Sequence, residues 1–248
     1  MPNNPIATKN SVGRKLAIVL IVVIVVAIGA IPMVLSLLKV PSSPESAAPE
    51  KPFQSPELSL EYQRVLFAGD SLTVGRDADK LPQSFRELVA GELRAEGASS
   101  ITTIAKSGAR LNYIAQSKKL PSDLNLAVVE LGTNDIRWQT PVKDFKIQYQ
   151  KYLTKIRAGS PEVKLICLGV WHDPKAKITQ SLDLVIKSVC LEHGGSYVQI
   201  SDLFARASNR GPAGRATWNV KSDAFHPNNA GHRAIAAKLL HELHNESK

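Results

Sequence analysis

Residues 65–75 have the sequence VLFAGDSLTVG, a short apolar run that stops at Gly69, Asp70 and Ser71. Short apolar runs closed by turn residues are typical of buried strands. In open α/β sheets, ligands bind outside the carboxyl ends of the strands, and a serine directly after such a strand lies there. Ser71 is therefore a candidate nucleophile, although Asp-Ser after a strand is by itself more often only a helix cap.

Strand-like apolar runs alternate with helical patterns along the rest of the chain. We predict four more strands, at residues 101–105, 126–131, 163–170 and 197–200. Amphipathic helices are predicted after the capping box at Ser84, after Thr140-Pro141, and around residues 182–192 and 229–244. This alternation predicts an α/β fold, a three-layer α/β/α sandwich with a five-stranded, mainly parallel sheet.

Polar clusters follow the first three predicted strands. Ser71 follows the first strand, Gly108 the second and Asn134 the third. Crossover connections return every parallel strand in the same direction, so we expect these three loops to share one edge of the sheet.

Serine-based ester hydrolysis needs a base, a carboxylate that orients the base, and donors for the oxyanion. His226 is the candidate base, and Asp223 stands three residues before it in the turn DAFHP, close enough to reach the imidazole. Candidate oxyanion donors are the backbone N–H groups of Ser71 and Gly108 and the side-chain amide of Asn134. This chemistry needs no cofactor and no metal.

The blocks GDSLTVG, SGA, GTND and DAFHPNNAGH occur in this order and resemble the four motif blocks of the SGNH (GDSL) hydrolase family. The resemblance extends from about Val65 to the end of the chain and implies the flavodoxin-like fold of that family. It also implies a catalytic triad of Ser71, His226 and Asp223, and an oxyanion hole formed by Ser71, Gly108 and Asn134.

The resemblance implies a serine ester hydrolase, and several substrates stay open. We expect an enzyme that removes acetyl or other short acyl groups from an envelope carbohydrate. The alternatives are a lipase, lysophospholipase or arylesterase, an O-acyltransferase acting on a sugar hydroxyl, and a catalytically silent binding module. The acyl length also stays open.

Other residues have structural interpretations that are at least as strong as functional ones. Asp70 and Asp135 are predicted to be structural, and a metal site at His241 and His244 is disfavoured so near a chain end. Substrate-cleft residues are sought among Arg76, Arg110, Trp138, Trp171, His172 and Trp218. Cys167 and Cys190 lie in apolar patterns, which favours free buried thiols, although an exported protein would permit a disulfide.

The N-terminal part of the chain predicts a membrane anchor and a linker. The 23 residues from Leu16 to Leu38 form an apolar run with Ser36 as its one polar residue, enough to cross a bilayer core. Lys9, Arg14 and Lys15 precede this run and favour a cytoplasmic N-terminus. We therefore predict a cytoplasmic tail at 1–15, a transmembrane signal anchor at 16–38, a Pro/Ser-rich linker at 39–61 and a hydrolase domain at 62–248. A cleaved signal is the alternative.

The formal charge of +9 does not indicate a nucleic-acid partner. The basic residues beyond the N-terminal segment are spread along the chain, and no basic stripe contains interleaved aromatic residues. The expected partners are the membrane and an ester substrate, an acylated carbohydrate or a lipid. The expected location is the cell membrane, with the catalytic domain outside, and the oligomeric state stays open.

Overall fold

The computed structural model describes residues 62–116 and 120–245 of the chain. The predicted tail, anchor and linker, residues 1–61, lie outside the described residues. In the part that is described, no helix is both long and apolar enough to span a membrane.

Five strands form one fully parallel sheet, and the predicted α/β fold is confirmed. The strands are β1 (Arg64–Gly69), β2 (Ser100–Ala105), β3 (Leu126–Glu130), β4 (Lys164–Leu168) and β5 (Ser196–Val198). Their order across the sheet is β2-β1-β3-β4-β5, so β1 lies between β2 and β3. The carboxyl ends of β1, β2 and β3 are therefore neighbours, as the placement of the polar clusters requires.

Eight α-helices flank or follow these strands in the described residues. They are α1 (Ser71–Val74), α2 (Phe85–Ala95), α3 (Leu111–Ala115), α4 (Thr133–Arg137), α5 (Val142–Gly159), α6 (Lys177–Glu192), α7 (Ser201–Phe204) and α8 (Asn229–Asn245). The four long helices were predicted, and α6 begins five residues earlier than expected. The four short helices were not predicted, because four or five residues give too little periodicity to detect.

The sheet separates two apolar cores. Alternate residues of β1 point to opposite faces, so Leu66 and Ala68 pack on one side and Val65 and Phe67 on the other. The first core includes residues of α3, α5 and α6, and the second includes residues of α2 and α8. The result is the predicted three-layer sandwich, with β1 and its C-terminal turn at its centre.

The expectation of two free cysteines is wrong. Cys167 of β4 and Cys190 of α6 form a disulfide, with their Cα atoms 6.3 Å apart. Each cysteine does lie in an apolar pattern, and both belong to the same core. The two patterns, taken separately, gave no sign that α6 packs back onto β4 with these two side chains facing each other.

Candidate active site

Ser71 is placed by a sharp connection between β1 and α1. Asp70 caps α1, because its Oδ1 accepts a hydrogen bond from the backbone N–H of Leu72 at 3.1 Å. Gly69 has no room for a side chain, since a Cβ there would lie 2.8 Å from the backbone oxygen of Glu130. The serine is thus the first residue of a helix that starts at the end of a central strand, and only 4% of it is exposed.

Ser71, His226 and Asp223 form a continuous hydrogen-bonded chain. Ser71 Oγ lies 2.9 Å from His226 Nε2, and His226 Nδ1 lies 2.7 Å from Asp223 Oδ2. A carboxylate can only accept, so the proton is on Nδ1 and Nε2 is left free to accept the serine hydroxyl proton. The second carboxylate oxygen, Oδ1, accepts the backbone N–H groups of Phe225 and His226, each at 2.8 Å.

The electrostatics of this chain suit a neutral imidazole beside an ionised carboxylate. Burial lowers the pKa of His226 below its ordinary value of 6.5, against the opposing effect of Asp223. Partial burial alone would raise the pKa of Asp223. That pKa nevertheless lies below its ordinary value. The carboxylate accepts hydrogen bonds from the His226 and Phe225 backbones, and the imidazole stabilises its negative charge electrostatically. The arrangement can therefore pass a proton from a serine hydroxyl to a histidine at neutral pH.

Asn134 and Gly108 lie on the same edge of the sheet as Ser71. Asn134 belongs to α4 and donates one amide hydrogen to Asp70 Oδ2 at 2.9 Å, which leaves its second amide hydrogen free to donate. Gly108 is exposed in the loop after β2 and has the left-handed φ of 77°. Lys106 connects this loop to the end of β1 by donating its backbone N–H to the Gly69 carbonyl at 3.3 Å.

A second carboxyl group, Glu130, lies buried beneath the serine turn and was missed by sequence reasoning. Its Oε2 accepts hydrogen bonds from Thr73 Oγ1 at 2.9 Å and from the Asp70 backbone at 3.3 Å. Both carboxyl groups are fully buried. Burial raises the pKa of Asp70 to about 6, and burial together with the Asp70 charge raises the pKa of Glu130 well above its ordinary value. The available signal was a glutamate ending the otherwise apolar strand LAVVE.

Asp77 is a further acidic residue at the site that was not singled out. It has the left-handed φ of 68°, is fully buried, and accepts the Asp223 backbone N–H at 2.7 Å. The Arg76 guanidinium lies 3.5 Å from Asp77 and 3.1 Å from Asp223 Oδ2. Asp77, Asp223 and His226 form the one group of potential metal ligands within residues 62–116 and 120–245. Arg76 places a positive charge beside this group.

Some of the predicted cleft residues are held by hydrogen bonds to the backbone, and others line cavities. Trp171 is fully buried and donates its indole N–H to the Phe225 carbonyl, and Trp218 donates to the Gly75 carbonyl. His172 lines a cavity beside the triad, whereas Arg110 and Trp138 lie together on the Gly108 side.

The remaining structural predictions concern Asp135 and the histidines of α8. Asp135 has the predicted structural role, because its carboxylate accepts the Leu111 backbone N–H and the Thr140 hydroxyl, each at 2.9 Å. Near the end of α8, His244 pairs with Glu96, and the His241 ring contacts the side-chain amide of the asparagine four residues on.

A cavity of about 390 Å³ opens directly beside the reactive groups. Asn134 of α4 and His226 both line it, so it gives access to the end of the hydrogen-bonded chain. Ile136 and Phe225 provide apolar surface, and Arg137 and His172 provide polar groups. Its size is at the lower end of the range for small-molecule sites.

Comparison with known proteins identifies relatives of this fold. Residues 67–234 match the model of the GDSL-like lipase/acylhydrolase family. A search of curated protein sequences found no match.

Solved structures include several similar enzymes. An esterase of Pseudoalteromonas sp. has 14% identity and a TM-score of 0.55, covering 73% of this chain and 96% of its own. The phospholipase A1 of Streptomyces albidoflavus has 19% identity and a TM-score of 0.56, covering 73% and 99%. A catalytic mutant of an acetylxylan esterase of Geobacillus stearothermophilus has 16% identity and a TM-score of 0.56, covering 73% and 94%.

Proposed function

The chain belongs to the GDSL-like lipase/acylhydrolase family and is an SGNH-type serine esterase, and we propose that Ser71, His226 and Asp223 are its catalytic triad. Ser71 Oγ attacks the ester carbonyl while His226 Nε2 takes the hydroxyl proton. The protonated imidazole, held by Asp223, then delivers that proton to the leaving alcohol, and water releases the acyl group by the reverse sequence. The observation that carries this proposal is the pair of contacts at 2.9 and 2.7 Å.

The oxyanion hole that we propose consists of the Ser71 and Gly108 backbone N–H groups and the free amide hydrogen of Asn134. Asp70 supports it, because the hydrogen bond from Asn134 fixes the amide beside the serine turn. Loss of one such donor typically lowers kcat by about 10²–10³-fold.

Our proposal for the substrate is an O-acylated carbohydrate carrying acetyl or another short acyl group. The cavity beside His226 has a volume of only about 390 Å³, and Ile136 and Phe225 provide apolar surface for the acyl group. Such a cavity suits a small acyl group better than a long hydrocarbon chain. The similarity to an acetylxylan esterase also favours this class. The similarity to a phospholipase A1 makes lipid esters the competing class in the experiment below.

The proposed location is the outer side of a cell membrane. This part of the proposal rests on the sequence, in which the apolar run from Leu16 to Leu38 follows three cationic residues and contains no acid. A Pro/Ser-rich segment then separates the run from the esterase domain and would act as a spacer.

The test is hydrolysis of p-nitrophenyl esters of increasing acyl length by the full chain. We expect the highest kcat/KM with acetate and a steep fall beyond butyrate. Ser71→Ala should lower kcat by about 10⁴-fold or more. The matched control is Ser188→Ala on α6, outside the site, which should retain wild-type rates. No hydrolysis of any ester by the folded wild type would refute the proposal, and a preference for eight or more carbons would replace the substrate by a lipid.

A further inference from the structure

A groove runs from Gly108 along the edge of the sheet that β2 forms. It consists of two adjoining cavities of about 320 and 630 Å³ that share Lys106, Tyr113 and Gln116. The first cavity extends from Gly108 to Trp138, and the second continues beside residues 103–105 of the edge strand β2. Each cavity has the size of a small-molecule site, so together they can hold several linked units of a chain-like ligand.

Two cations line the first cavity, and none of the described residues that line either cavity is acidic. In the described part of the chain, no carboxylate forms a salt bridge with Lys106 or Arg110. Lys106 Nζ instead donates to the Tyr113 hydroxyl at 2.9 Å, and the Arg110 guanidinium lies 5.9 Å from the centre of the Trp138 ring. Arg110 does act electrostatically on buried Asp135. The groove therefore presents positive charge that the surrounding protein neutralises only in part.

Two aromatic rings project into the same groove. Trp138 is 62% exposed, and Tyr113 is 51% exposed with Lys106 Nζ 4.3 Å from its ring centre, so each ring still leaves apolar surface uncovered. A flat ring can pack against the C–H face of a sugar, while Asn112 and Gln116 in the lining can bond to its hydroxyl groups. A fatty-acyl chain would need a continuous apolar lining, which these polar and charged side chains interrupt.

We propose that this groove binds the uronate-bearing sugar residues of an acidic polysaccharide, next to the acylated sugar at Ser71. This inference rests on the function proposed above and extends it to the substrate class. Gly108 connects the two sites, because it lines the groove and also supplies a proposed oxyanion donor. A polysaccharide with its ester at Ser71 continues past Gly108, where Lys106 and Arg110 bind carboxylates and Tyr113 and Trp138 pack on sugar rings.

The experiment compares two acetylated oligosaccharides of equal length with the full chain. One is an oligogalacturonide and the other a neutral manno-oligosaccharide, and the measured quantity is the ratio of their kcat/KM values. For the wild type we expect a ratio of about ten or more in favour of the acidic substrate. The double variant Lys106→Gln/Arg110→Gln should lower this ratio about tenfold. In the wild type, about 0.5 M NaCl should also lower it, because salt screens exposed charges.

The control is Lys187→Gln/Arg233→Gln, which removes two exposed cations from α6 and α8 and should leave the ratio unchanged. A ratio cancels differences in the folded fraction between preparations, so partial misfolding cannot imitate the effect. A wild-type ratio near one, or a ratio that the groove variant does not change, would overturn this inference while p-nitrophenyl acetate hydrolysis still supports the proposed esterase. No hydrolysis of any ester would overturn the proposed function itself.

Discussion

Replacing Asp70 with asparagine removes one of the two buried carboxyl groups beneath Ser71. The Asp70 carboxylate uses both oxygens, Oδ1 for the Leu72 backbone N–H and Oδ2 for the Asn134 amide. An asparagine side chain has only one acceptor oxygen, so Asp70→Asn keeps one of these bonds and loses the other. The lost hydrogen bond destabilises the fold by about 1 kcal/mol at every pH.

Asp70→Asn also stabilises the fold, because it removes a buried charge, and the size of this second effect depends on pH. Burial raises the pKa of Asp70 from 3.8 to about 6, so between these values the folded protein keeps a proton that the unfolded chain has released. Stability therefore falls as pH rises through this window. At about 1.4 kcal/mol per pH unit, the difference amounts to about 3 kcal/mol in the wild type above pH 6. The variant avoids this loss of stability. It also removes the repulsion between the Asp70 charge and Glu130, which raises the pKa of Glu130 in the wild type.

We therefore expect Asp70→Asn to be more stable than the wild type by about 2 kcal/mol at pH 7, and less stable by up to about 1 kcal/mol near pH 4. Urea unfolding at a series of pH values measures the difference. Asp144→Asn, on the exposed first turn of α5, is the matched control and should show no such reversal. Asp70→Asn should also lower kcat by about 10²-fold, because the Asn134 amide loses the carboxylate that fixes it. A stability difference that does not change with pH would refute the reasoning.

The further predictions concern other positions of the described domain. Burial and the Arg76 charge both lower the pKa of His226, so kcat/KM should fall with decreasing pH at a midpoint below 6.5. Arg76→Gln removes a charge 3.1 Å from Asp223 and should move this midpoint to higher pH; pH–rate profiles that coincide would contradict this. Gly69→Ala should cost about 2 kcal/mol or more in urea unfolding, because its Cβ would lie 2.8 Å from a backbone oxygen of β3. Gly91→Ala in α2 meets no atom within 4 Å and should instead gain about 0.5–1 kcal/mol.

The sequence was sufficient to predict the strands, the long helices and the association of Ser71 with His226. Apolar periodicity marks elements that are long enough to bury a face, such as α5 and α8. The ordered polar clusters share an edge because all five strands are parallel. Both signals depend on local pattern and topology, which a single sequence contains.

Glu130, Asp77 and the disulfide could not be predicted, because each depends on a contact between elements. Glu130 matters through Thr73 and Asp70, which are about sixty residues earlier in the chain. Asp77 matters because its carboxylate accepts the backbone N–H of Asp223, 146 residues away. No property of the segment RDADK distinguishes that role from the role of a solvated surface acid.

The two halves of the site are held by different physical means, and they leave different signals in the sequence. One turn positions both the acid and the base, because Asp223 Oδ1 accepts the backbone N–H of His226 while Oδ2 meets its ring. The spacing D-x-x-H is therefore a direct requirement of the geometry. Ser71 and Asn134 follow different strands, β1 and β3, and the buried Asp70 carboxylate holds them together at a cost in stability. The sequence places Asp70 directly before Ser71, but Glu130, which shares this buried site, is recognised only through its contacts with Thr73 and the Asp70 backbone in the folded molecule.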